Sequence, residues 1–187
     1  ANPCGAAVAS DIQKAYKKAF RTDPTSAFGG IIAFNRPLGR ETAENIINQQ
    51  FVEVIIAPSI DDDAANVISQ KKNIRLLETG EWSSNISHDF DYKKISGGLL
   101  IQETDIAYIT EEDLKIVTDK APTSQQIRDM LFAWTVVKYV KSNAIIFCKD
   151  NATIGIGAGQ MSRVYSTKIV AIKAADENLK IKGSVMA

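Results

Sequence analysis

The chain has 187 residues, 45% of them hydrophobic and 24% charged, which is the make-up of a globular protein with room for one large domain or two small ones. Lys plus Arg and Asp plus Glu stand at 22 each with no dense basic run, which argues against a nucleic-acid-binding surface. No apolar stretch approaches the ~20 residues of a membrane span and no signal peptide opens the sequence, so a cytoplasmic location with no membrane partner is expected.

In chain order, Val8, Ile12, Tyr16 and Phe20 recur at four-residue spacing and predict a helix over residues 6–20. Asp23-Pro24 stops it, because the residue before a proline avoids helical angles. FGGIIAF, residues 28–34, predicts a buried strand, residues 41–50 a helix, and VEVIIA, residues 52–57, a second buried strand closed by Pro58. Residues 61–72 carry acids first and lysines last, the polarity that a helix dipole favours. A third strand follows at 74–77. Strands alternating with helices of this length imply βαβ units and a parallel sheet.

Residues 79–92 are polar and irregular and predict a loop, and 98–102 (GLLIQ) a strand. No clear pattern runs through 110–121, the expected boundary between two subdomains. Thr123 opens a strong helix with a capping-box sequence, TSQQ, and a core face at Ile127, Leu131, Trp134 and Val137. A strand at 143–148, a hairpin turn at KDNA, a returning strand at 153–157 and a helix over 162–177 complete the pattern.

Among chemistry-bearing residues, Cys4 and Cys148 form no disulfide framework and suit a reducing compartment. Cys4 with His88, the one histidine, is rejected as a nucleophile and base; a polar-loop His is expected to be solvated and Cys4 to fill space. Pro3-Cys4 lacks the second Cys of a zinc-deaminase P-C-x-x-C, and the chain has no H-x-E, so no metal is expected. Glu53, inside VEVIIA, is either a solvent-facing strand residue or a ligand contact. Gly29-Gly30 marks a bend or a close approach to a ligand. Asn143 caps a helix or donates to an oxyanion. Arg163 stands at an expected helix start, where the dipole disfavours a cation unless a ligand balances it. IGIGAGQ has Gln160 where a dinucleotide fingerprint needs its last glycine; a non-catalytic nucleotide-binding module using this segment is the alternative reading.

NPCGAA, DPTSAFGGIIAFN, FVEVIIAP and KSNAIIFCKDNATIGIGAGQMSR together resemble the bacterial type of the bifunctional purine-biosynthesis family that joins aminoimidazole carboxamide ribotide formyltransferase to IMP cyclohydrolase. The resemblance is to part of the transformylase region. It implies a three-layer α/β/α, cytidine-deaminase-like and duplicated fold without zinc. The corresponding divisions are a first subdomain at 1–109, a connection at 110–122 and the start of a second at 123–187. It implies transfer of a formyl group from 10-formyltetrahydrofolate to the ribotide's 5-amino group, in a homodimer.

By the same resemblance, Phe28, Gly29 and Glu53 line the ribotide site, Asn143 stabilises the tetrahedral adduct and Arg163 contacts folate. The catalytic Lys-His pair is expected just ahead of Ala1. The sequence is accordingly expected to be a piece of a longer polypeptide, inactive by itself. IGIGAGQ is then a compact strand end and turn that aims Arg163.

Overall fold

The structure, a computed structural model, describes residues 2–82 and 89–187. Helix α1, Ile12–Thr22, starts later than the apolar spacing predicts. Residues 6–10 are extended instead: Ala7 bridges Ala152, and the Val8 amide donates to the Asn151 carbonyl at 2.8 Å. Pairing with a strand edge satisfies this backbone, and Asp11 then opens the helix by accepting from the Lys14 amide at 2.8 Å. Asp23-Pro24 both stops and restarts the chain. The Asp23 carboxylate accepts from the Ser26 amide at 2.9 Å and caps the short α2, Pro24–Ala27, whose first residue has no amide to satisfy.

Strands β1, Gly30–Ala33, β2, Val52–Ala57, and β3, Arg75–Glu78, form the expected parallel sheet in the order β1-β2-β3. Helices α3, Arg40–Gln49, and α4, Asp62–Ser69, make the crossovers. Leu38, Ala43, Ile46, Val52, Ile55, Ala64 and Ile68, joined by Tyr16 and Phe34, form the core beneath it. Two expectations need correction. β1 is an edge strand with Ile31 exposed, so the apolar run at 28–34 is not a buried strand. α4 ends at Ser69, leaving Lys71 and Lys72 in the following turn, outside any last helical turn. Glu53 is exposed within an otherwise largely buried β2.

β4, Phe90–Ile95, and β5, Gly98–Glu103, pair antiparallel as a separate ribbon. Residues 90–92 of the predicted loop therefore belong to a strand, and residues 83–88 of it lie outside the described residues; charged neighbours hid the alternation of Phe90 and Tyr92 with Asp91 and Lys93. His88 lies outside the described residues. A single 3-10 turn, Glu111–Asp113, occupies the segment expected to lack pattern.

Helix α5, Ser124–Val137, has the predicted box: the Gln126 amide donates to Thr123 Oγ1 at 3.2 Å and the Thr123 amide to Gln126 Oε1 at 2.9 Å. Its core face differs in part from the expected one, of which Val137 does pack against a core. Trp134 is exposed, and the buried stripe is Asp129, Ala133, Val136 and, beyond the helix, Val140. An acid within the stripe concealed it.

β6, Ile145–Lys149, pairs antiparallel with β7, Ala152–Gly157, and with β8, Val185–Met186. Asp150 and Asn151 have φ of 54° and 56°, which makes the predicted hairpin turn one of the primed type. Helix α6, Arg163–Asp176, packs on β7. A second core gathers Ala133, Val136, Val140, Ile146, Cys148 and Ile156. α1 touches both cores: Tyr16 enters the first, and the buried Thr22 hydroxyl donates to the Thr153 carbonyl at 2.8 Å, beside the second.

Candidate functional site

The sequence-expected residues fall into two groups. In the first, residues 141–143 pair with residues 159–160. The Gly159 amide donates to the Lys141 carbonyl at 2.7 Å, the Asn143 amide to the Gln160 carbonyl at 3.1 Å, and the Gln160 amide to the Asn143 carbonyl at 3.3 Å. The Asn143 side chain, half-buried, donates one N–H to the Gln160 carbonyl at 3.0 Å. Its second N–H has no protein partner among the described residues and is free to meet a ligand oxygen. Asn2 Oδ1 accepts from the Lys141 amide at 2.8 Å, which holds residue 2 against the same loop.

The glycines of IGIGAGQ explain how α6 reaches this loop. A Cβ at Gly157 would collide with the Ser166 carbonyl, and one at Gly155 would come within 2.9 Å of Val170 Cγ1. Both glycines therefore allow close helix-on-strand packing. Ser162 caps α6 by accepting from the Tyr165 amide at 3.2 Å, and Arg163 projects from the first helical position into solvent. Its neighbours in sequence Met161, Val164 and Tyr165 are exposed as well.

The second group lies where α2 feeds β1. Gly29 has φ +68°, a left-handed conformation that strains any side chain, and its amide donates to the Phe51 carbonyl at 2.9 Å. Phe28 is 72% exposed and packs on Phe51 with ring centroids 5.3 Å apart, leaving aromatic faces open to a planar ligand. The β1–β2 register passes from Gly30↔Val52 to Ile31↔Val54 and so leaves Glu53 unpaired at a bulge, a device that re-aims a side chain. Glu53 Oε1 sits 3.8 Å from where a Gly29 Cβ would stand. Among the described residues this carboxylate makes no hydrogen bond and no ion pair.

Phe51 and Val52 also line a cavity of about 540 Å³ between the ends of α3 and α4. Lys71, Lys72, Asn48 and Asn73 supply donors there, and Gln50, whose Oε1 is buried without a hydrogen-bond partner, supplies an acceptor. Sequence reasoning missed Phe51, Gln50 and both lysines. The signal for the lysines was a turn hidden inside an overlong predicted helix.

No hydrogen bond or ion pair among the described residues joins the two groups directly. They are connected through α6, whose Lys173 Nζ donates to Asp23 Oδ2 at 2.6 Å, at the root of the segment leading to Phe28. Burial pushes the Cys4 thiol up, and the Asp23 carboxylate adds to the shift, so Cys4 is held as a neutral thiol. Burial pushes Cys148 up to about 12. Among the described residues, no three His, Cys, Asp or Glu side chains cluster as metal ligands. Among them, too, no helix is long and apolar enough to cross a membrane.

Residues 1–173 match the family model described as AICARFT/IMPCHase bienzyme. The match spans both groups of residues, including Phe28, Gly29, Glu53, Asn143 and Arg163. The chain belongs to the AICARFT/IMPCHase bienzyme family, enzymes that serve purine biosynthesis as formyltransferase and cyclohydrolase.

Proposed function

We propose that this chain forms walls of the formyltransferase site, where 10-formyltetrahydrofolate gives its formyl group to the 5-amino group of aminoimidazole carboxamide ribotide. The single observation that carries the reading is the pinning of Asn2 at Lys141, two residues from Asn143. The Lys-His pair that the family resemblance puts next to Ala1 would stand beside the free amide hydrogen of Asn143.

The residue types suit the chemistry. The 5-amino lone pair is delocalised into the imidazole carboxamide, so it attacks only if a base removes its proton as the formyl carbon becomes tetrahedral. The oxyanion formed at that carbon needs a donor in place beforehand, and one such donor is worth ~2.7–4 kcal/mol. Asn143 supplies it. Phe28 and Phe51 offer faces to the imidazole, Gly29 lets the ring approach backbone, and Glu53 accepts from its exocyclic amines. Lys71 and Lys72 face the adjoining cavity and suit the ribotide's phosphate, while Gln50 Oε1 suits a ribose hydroxyl. Arg163, with exposed apolar residues next to it in sequence, suits a folate with a flat ring and an acidic tail.

The separate cores of the β1–β2–β3 and β7–β6–β8 sheets support subdomains at 1–109 and 123–187 joined through 110–122, while a three-layer, cytidine-deaminase-like and duplicated arrangement is what the family resemblance implies. The β4–β5 ribbon leaves Phe90, Tyr92, Leu99 and Ile101 uncovered on one face, as expected where a second copy of a cytoplasmic homodimer packs. The test is Asn143→Ala in the bienzyme. Formyl-transfer kcat should fall on the order of 10²–10³-fold with little change in either KM. An unchanged kcat removes Asn143 from the mechanism.

A further inference from the structure

The free N–H of Asn143 can stabilise an oxyanion only if the backbone beneath it is held still, because such donors act by being in place before the charge forms. We infer that Ser166 is a positioning residue for formyl transfer, its hydroxyl fixing the peptide from which the Asn143 amide is presented. The inference rests on the placement of Asn143 at the reacting carbon.

Apart from Ser166, the hydrogen-bond partner of Asn143 among the described residues is Gln160 alone. The Asn143 amide and side chain both donate to the Gln160 carbonyl, at 3.1 and 3.0 Å, and the Asn143 carbonyl accepts from the Gln160 amide at 3.3 Å. Gln160 follows Gly159, which has φ +65° and where a Cβ would meet nothing within 4 Å. A loop partner with open space beside it is a soft support. The Ser166 hydroxyl donates to the Asn143 carbonyl at 2.7 Å, the shortest bond of the set.

Two features make that bond more than a helix serine satisfying itself. A serine or threonine inside a helix ordinarily returns its hydroxyl to the carbonyl four residues back. Thr167 does so, donating to the Arg163 carbonyl at 2.9 Å. For Ser166 the same distance, to the Ser162 carbonyl, is 3.4 Å, so its one hydroxyl hydrogen goes to the nearer Asn143. The base of the bond is also firm. Ser166 is fully buried, and Gly157 brings β7 so close that a Cβ there would collide with the Ser166 carbonyl. One turn later Val170 is fully buried against Gly155. Ser166 therefore ties Asn143 to a seated helix, where Gln160 ties it to a loop.

Ser166→Ala removes the hydroxyl and keeps the helix. It is tested in the bienzyme, at a temperature where circular dichroism shows every variant folded. Formyl-transfer kcat should fall about tenfold, a fraction of the ~10²-fold that a misplacement of about 1 Å can cost. KM for ribotide and for folate should stay near wild type, because a fully buried Ser166 reaches neither ligand. Ser166→Cys, with a weak donor in the same place, should recover part of the loss. The deciding measurement is the double variant: with Asn143→Ala already present, Ser166→Ala should cost nothing further.

A serine that served folding alone would lower kcat by the same factor in both backgrounds, and that result would overturn the inference. Wild-type kcat in Ser166→Ala beside a crippled Asn143→Ala would also overturn it, while leaving the site assignment standing. Should Asn143→Ala itself transfer formyl at the wild-type rate, the assignment fails first, and Ser166 has nothing to position.

Discussion

Two hairpins of this chain share a pairing geometry and differ in everything around it. β6–β7 is gripped from outside. Its turn amides at Asp150 and Asn151 donate to the buried Asp129 carboxylate at 3.1 and 2.7 Å, the Asp150 carbonyl accepts from Lys18 at 2.9 Å, and α6 lies against β7. β4–β5 is paired in register over its full length, yet all its residues are exposed. A two-stranded ribbon has little stability by itself, so ladder hydrogen bonds alone do not fix a side chain in space. The site residue Asn143 borders the gripped hairpin, where a helix, a turn clamp and a second strand over-determine the backbone.

The comparison breaks first at Gly157. Adding one methyl there drives a Cβ into the Ser166 carbonyl and must lift α6 off β7. Gly157→Ala should cost about 3 kcal/mol, the upper end of overpacking penalties, read from the shift in urea midpoint. A midpoint unchanged from wild type would mean that the helix is not seated as described. Asp129→Asn comes next. It keeps the shape but exchanges a charged acceptor of two turn amides for a neutral one, and should cost about 2 kcal/mol in the same measurement.

Much of the gripped region was legible because its signals are local. The TSQQ box and the KDNA turn are encoded within four residues each, and the structure shows both. The parallel order of β1, β2 and β3 followed from alternation of strands and helices. What escaped depends on distant partners. Nothing near residue 8 announces that Val8 will pair with Asn151, and no apolar period exposes a stripe whose first member is Asp129. The same holds for the candidate site. Asn143, Arg163, Phe28, Gly29 and Glu53 were named from segments that resemble a family. Phe51, Gln50, Lys71 and Lys72 became visible only when folding brought two helix ends to one cavity. Glu53 could not be resolved from periodicity, because a bulge shifts the register at that residue.

A smaller effect separates the regions by pH. Burial acts to raise the Asp23 carboxyl, but the hydrogen bonds from Lys173 and Ser26 outweigh it and hold the group below its ordinary 3.8. As pH falls, the unfolded chain takes up this proton first. The contribution of Asp23 is therefore whole above 3.8 and is lost as pH drops through the lowered native value. Asp11 and Asp113 titrate low as well, each held chiefly by a backbone amide, from Lys14 and Thr110. Cys4, the other titratable group facing Asp23, stays protonated throughout this range. Asp23→Asn should therefore flatten part of the acid loss of stability and leave the remainder to Asp11 and Asp113. An acid limb identical to wild type would show that the Lys173 contact does not hold in solution.

The smallest effect belongs to the open ribbon. Tyr92 stands opposite Ile101 on the face that also carries Phe90 and Leu99, and it is 63% exposed. Within a single chain, Tyr92→Ser removes a ring contact with Phe90 at 6.4 Å and little else, so stability should change by no more than about 0.5 kcal/mol. The same substitution in a dimer that buries this face would weaken association instead, and dilution followed by sedimentation would detect it. The two readouts must therefore part company: a small change in monomer stability beside a larger change in self-association. A loss as large as that of Asp129→Asn in the monomer would mean that the ribbon is packed within its own chain, and the contrast between the two hairpins would disappear.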